Sequence, residues 1–128
     1  MMQTWQIILG ALGLLFFVAC GAAEPEPTPT PTLTREEQAG KKVFIRDCGA
    51  CHSTAADTVI VGPSLFGVTE RADERVSGLD ARGYLYTSVL RPEDYLVDGF
   101  DNLMPNSFGK TLTGEELDAV IAYLYTLK

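Results

Sequence analysis

Histidine and tryptophan each occur once in this sequence, and cysteine and methionine three times each. That scarcity limits the chemistry. A structural zinc site normally takes four Cys or His ligands as two pairs, whereas here Cys48, Cys51 and His52 form a single tight cluster. Basic side chains are also in short supply: 10 Lys and Arg stand against 17 Asp and Glu, a formal net charge of −7. Nucleic acid is held by clustered Lys and Arg, so this balance argues against it as a partner. Acidity keeps a small domain soluble and equally suits a basic protein partner. No stretch alternates apolar and polar residues for long enough to make a sheet. The length of 128 residues fits one domain.

One long apolar run is present, and it lies at the N-terminus. Ile7 to Ala23 carries no charge, and "IILGALGLLFFVAC" gives way to the small residues of "VACGAA". A short apolar core followed by small residues has the form of a secretory signal. Cys20, directly after "FVA", resembles the lipobox of bacterial lipoproteins, although Phe17 stands where Leu is usual and "MMQTWQ" has no Lys or Arg. That resemblance implies removal of residues 1–19 and lipidation of Cys20. Two other readings fit the same residues. Trp5 to Ala23, at about 1.5 Å per residue, is long enough to cross a bilayer as an uncleaved anchor. Cleavage near Ala23 would instead release a soluble protein. All three place the rest of the chain outside the cytoplasm. Residues 20–33 then comprise the lipid site and "EPEPTPTPTL", where proline prevents a helix or central strand. Such a spacer is stiff and, at about 3 Å per residue, holds a domain some 30–40 Å from its anchor.

From Thr34 the composition becomes globular, and residues 34–128 read as the folded domain. "TREE" has the capping-box pattern, Thr34 with Glu37, and opens a helix expected to run to about Cys48. "TGEE" repeats it with Thr113 and Glu116. Leu117, Val120, Ile121, Leu124 and Leu127 then recur at helical spacing to the C-terminus. "YLYTSVL" reads as a helix that stops near Arg91, because Pro92 restricts the residue before it. "PEDYLV" adds a turn or two, ended by Gly99. Residues 53–78 and 99–112 read as long loops. The expected fold is all-α, with a core too modest for stability unless something else fills it.

The cluster "CGACH" limits what that filler can be. A redox-active Cys-x-x-Cys expects a βαβ context that is absent here. A disulfide between Cys48 and Cys51 closes too short a loop to stabilise much. Covalent haem attachment is the reading that uses all three residues. Two thiols separated by two residues reach the two vinyl groups on adjacent edges of one porphyrin, and the next residue, His52, offers a nitrogen to iron. Once the signal is removed one methionine remains, Met104, in the polar loop "NLMPNSF". Methionine opposite histidine is the ligation of electron-carrying haem iron, and Pro105 fixes the backbone just beyond it.

With these residues, Thr34–Lys128 resembles a class I c-type cytochrome. The resemblance implies a small fold whose first and last helices cross at Gly40, with Phe44 and Tyr123 as the aromatic pair at that crossing. It implies haem c and its iron as cofactor, held by Cys48, Cys51, His52 and Met104. The Pro63 carbonyl, in "VGPSLFG", is expected to orient His52, and Leu65 and Phe66 to pack on the haem. Trp5 lies in the signal, so no Trp is left to bond a haem propionate; Tyr84, Tyr86, Tyr95 and Arg82 are the candidate substitutes.

Filled axial positions leave no open iron site, so the expected function is transfer of single electrons rather than catalysis. The partners expected are redox proteins or a membrane oxidoreductase complex, on the extracytoplasmic (periplasmic) face of the bacterial cytoplasmic membrane. Two alternatives are a fixed haem subunit of a respiratory or photosynthetic oxidoreductase, and a haem sensor or peroxidase in which Met104 is labile.

Overall fold

The computed structural model describes residues 32–128, so the signal segment, Cys20 and most of the Pro/Thr spacer lie outside the described residues. Among the described residues there are helices and turns and no strand. No described helix is long and apolar enough to cross a membrane.

The chain enters through Thr34, which caps α1 (Arg35–Val43). Its hydroxyl accepts from the Glu37 amide at 3.2 Å, and the Glu37 carboxylate accepts from the Thr34 amide at 2.7 Å. Glu36 and Glu37 in the first turn and Lys41 and Lys42 in the last each complement the helix dipole. After Val43 the helix widens into one π turn, Phe44–Cys48, in which the Gly49 amide reaches back five residues to the Phe44 carbonyl. His52 does not continue that helix, despite its spacing from Gly40, Phe44 and Cys48. Instead the Cys51 and His52 amides both donate to the Cys48 carbonyl at 3.0 Å, folding "CGACH" into a tight turn.

The two expected loops each contain a short helix, α2 (Val68–Ala72) and α4 (Phe108–Thr111). Between them lies α3 (Ala81–Leu90), capped by Asp80, whose carboxylate accepts from the Gly83 amide at 2.7 Å. It ends at Arg91, and Pro92 opens a single 3₁₀ turn, Pro92–Asp94. The last helix, α5 (Gly114–Leu124), begins with the second capping box, Thr113 with Glu116. It stops one turn before Leu127, because the tail bends so that the Leu127 carbonyl accepts from the Gly67 amide at 2.6 Å.

Helices α1 and α5 cross at Gly40. A Cβ built there would lie 1.8 Å from the Ala119 carbonyl oxygen, so only glycine permits backbone-to-backbone contact. One turn on, the Phe44 and Tyr123 rings pack at 5.5 Å, tilted by 56°. These rings join Val43, Val120, Ile121 and Leu124 in one core with Val68 and Ala72 of α2 and Tyr84 and Leu85 of α3. The fold is therefore the small, all-helical one expected, with its terminal helices crossed.

Candidate functional site

The helices leave between them an apolar cleft of about 1280 Å³, its open mouth included. Its lining is mostly apolar, drawn from many segments of the chain, and suits a large, mostly apolar group. Its floor is core: Val68, Leu85, Val120 and Leu124. Four separate segments bring polar chemistry to its walls.

The first is the turn after the π bulge, which places Cys48, Cys51 and His52 on the wall. No disulfide joins the two cysteines. Burial, with the Asp47 carboxylate beside it, pushes the Cys48 thiol up to about 11.

The second is the loop Val61–Leu65. His52 Nδ1 donates to the Pro63 carbonyl at 2.9 Å, which fixes the ring and leaves Nε2 as the nitrogen with a free lone pair. The imidazole also lies flat against the chain at Gly62, where an added Cβ would come within 2.4 Å of Cε1. Gly62 is thus more than a turn residue. Leu65 lines the cleft, whereas Phe66 is not among its lining residues. Consecutive side chains of this non-helical segment diverge, and Phe66 is turned outward, 39% exposed.

The third segment is Tyr95–Pro105, which carries Met104 to the cleft wall, half-buried. Cys48, Cys51, His52, Pro63, Leu65 and Met104 therefore share one cavity.

The fourth wall comes from α2 and α3, with the residue that follows α2 by three positions, Arg75. Arg75 Nη1 donates to the Tyr84 hydroxyl at 3.0 Å, and Tyr84 meets Tyr95 edge-on at 5.7 Å. Tyr84 and Tyr95 line the cleft. Tyr86 and Arg82 do not: they pair with each other and with Asp118 of α5. Arg71 and Arg75, absent from the sequence reading, line the cleft as well. Arg71 spends its guanidinium on main-chain carbonyls. Nη1 reaches Phe66 at 2.7 Å and Gly67 at 3.1 Å, and Nη2 reaches Ser64 at 2.9 Å. Partners of that kind leave no trace in a sequence pattern.

The donor set fits haem rather than a bare ion. Among the described residues no group of three or more His, Cys, Asp or Glu is arranged to hold a metal directly. Two thiols, one oriented imidazole and one thioether around a large apolar cleft are instead what a covalently held iron porphyrin requires.

A family model described as cytochrome c matches residues 37–128. No curated protein matches. Among solved structures the chain is similar to an engineered cytochrome c from Rhodothermus marinus, at 22% identity and a TM-score of 0.44, covering 79% of this chain and 89% of that one.

Proposed function

The chain belongs to the cytochrome c family, and on that premise we propose that it is a membrane-tethered mono-haem carrier passing single electrons between redox partners outside the cytoplasmic membrane. Family membership makes it an electron-transfer protein with covalently bound haem c, its iron included. Haem bound here supplies an iron that takes up and returns one electron.

The chain's own residues do the rest. Cys48 and Cys51 would hold the group through thioether bonds. His52 and Met104 would ligate its iron, and Met/His ligation raises the reduction potential. Pro63 holds the proton on His52 Nδ1, which leaves the Nε2 lone pair available as the ligating atom. Val68, Leu85, Val120 and Leu124 make the cleft floor apolar. The observation that carries the reading is the convergence of Cys48, Cys51, His52 and Met104, from segments far apart in the chain, on one apolar cleft.

Membrane attachment is supported by sequence alone: the apolar run Ile7–Ala23, Cys20 after it, and the stiff spacer to residue 33. A docking role is supported by the cleft mouth, where Val61, Leu96 and Leu103 are 47%, 46% and 66% exposed. From Pro92 to Gly109 the chain carries Glu93, Asp94, Asp98 and Asp101 and no Lys or Arg. An apolar centre with carboxylates near it suits a redox protein with a basic face and a small, transient interface.

The test is the spectrum of the purified oxidised protein. Methionine-ligated ferric haem gives a weak band at the red edge, and the reduced form should bind carbon monoxide only slowly. Absence of the band with immediate carbon monoxide binding would replace the carrier by a sensor or peroxidase with labile Met104. Co-purification with other subunits after detergent extraction would make it a fixed subunit of a complex.

A further inference from the structure

We propose that Asp47 lowers the reduction potential of haem held in the cleft, and that Arg46, shared between Asp47 and Glu116, limits how far it does so. The π turn Phe44–Cys48 presents these two residues in succession. The Arg46 side chain lies on the outside, 55% exposed, while that of Asp47 is 22% exposed and lines the cleft wall next to Cys48. Asp47 Oδ2 accepts from Arg46 Nε at 2.9 Å and from Nη2 at 2.7 Å. Glu116 Oε1 accepts from Arg46 Nη1 at 2.8 Å. One guanidinium therefore serves two carboxylates, and the group of three keeps negative charge in excess.

Four charged side chains line the cleft: Asp47, Arg71, Arg75 and Asp101. Among the described residues, Asp47 alone of these four belongs to an ion pair. The other carboxylate, Asp101, is exposed, and solvent blunts its field. Asp47 is better covered, and two charge-assisted bonds from a planar fork fix where its oxygen sits. It is the carboxylate of the cleft whose charge has both a fixed place and partial shelter from water.

Ferric haem carries one positive charge more than ferrous haem. A carboxylate fixed on the wall beside it favours the ferric state and lowers the potential, and a guanidinium next to that carboxylate opposes the effect. Glu116, in the first turn of α5, draws on the same guanidinium, so Asp47 is only partly neutralised. The inference rests on haem attached at Cys48, and wild-type chain without haem there would sink that reading before any variant is made.

The test compares Asp47→Asn with Arg46→Gln in the haem-loaded full chain. The reduction potential is measured, and the Arg46 Nε–H resonance is followed by NMR as a check on the pairing. At a fixed ambient potential Asp47→Asn should raise the ferrous-to-ferric ratio about threefold. Arg46→Gln should lower it, by about twofold because that group is more exposed. Opposite signs separate a field effect from simple loosening of the turn, which would move both variants the same way. The Nε–H proton should exchange with water faster in Asp47→Asn than in wild type. A wild-type potential in Asp47→Asn overturns the proposal, as do shifts of one sign in both variants or an unmoved Nε–H resonance. Neither readout involves an electron-transfer partner, so failure of the carrier role is seen separately.

Discussion

Replacing Gly40 by Ala sets two effects against each other. In a helix interior Ala is favoured over Gly by about 1 kcal/mol, so local propensity alone forecasts a more stable protein. Packing forecasts the reverse. The new methyl would sit 1.8 Å from the Ala119 oxygen, 2.5 Å from its carbonyl carbon and 2.9 Å from Tyr123 Cβ. Two of those atoms are backbone and have no rotamer to retreat into. Restoring ordinary contact requires α1 and α5 to move apart by about 1.5 Å, which opens the Phe44–Tyr123 contact and the packing of Val43 and Ile121. Overpacking of this kind costs about 1–3 kcal/mol, and the gap left beside the methyl adds to it. A net loss of about 2–3 kcal/mol corresponds to a fall in Tm of about 10–20 °C for a domain of this size. Gly114→Ala is the matched control, since a Cβ there meets nothing within 4 Å and should be neutral or slightly stabilising. Thermal melts of the two haem-loaded variants, read by circular dichroism, decide the matter. If Gly40→Ala melts at or above wild type, the close crossing of the terminal helices does not exist.

Three further outcomes follow from the same geometry. Gly62→Ala forces a methyl into the His52 ring, 2.4 Å from Cε1, and should disturb the imidazole while sparing α1 and α5; a changed haem spectrum with unchanged helical circular dichroism checks this. Cys48→Ala or His52→Ala should yield an unfolded or unstable chain, because the apolar cleft is left without its filler; a well-folded haem-free variant would contradict it. The Glu116 carboxyl is held below its usual value, first by the Thr113 amide and then by Arg46. Its stabilising contribution is complete above the ordinary carboxylate range and is lost as pH falls through the lowered folded value. Glu116→Gln should therefore flatten the acid limb of the stability profile, modestly because the group is exposed, and an unchanged limb would count against the capping box.

What could be read in advance was local. Thr34 with Glu37 and Thr113 with Glu116 are three residues apart, so their capping boxes stand complete in the sequence and in the fold. Helix α3 and its stop before Pro92 were legible for the same reason. Helices α2 and α4 were not. At five and four residues they are too short to display a period, and neither has a side-chain cap at its start. Leu127 keeps helical spacing yet leaves the helix, because a contact with Gly67, sixty residues earlier, draws the tail away. At the site, "CGACH" announces itself because one short motif supplies three of its groups. Gly62, Arg71 and Arg75 matter through a flat ring contact, main-chain carbonyls and a tyrosine hydroxyl, and these exist only once the chain has folded. Phe66, Tyr86 and Arg82 lie outside the cleft lining, a placement set by backbone direction that residue type does not reveal.

The attachment of haem to the chain is tested most directly by mass spectrometry of acid-denatured protein from a host that matures c-type cytochromes. One haem mass should remain on the polypeptide after denaturation and travel with the peptide that contains Cys48, Cys51 and His52. That peptide found with two unmodified thiols would contradict the account at its centre.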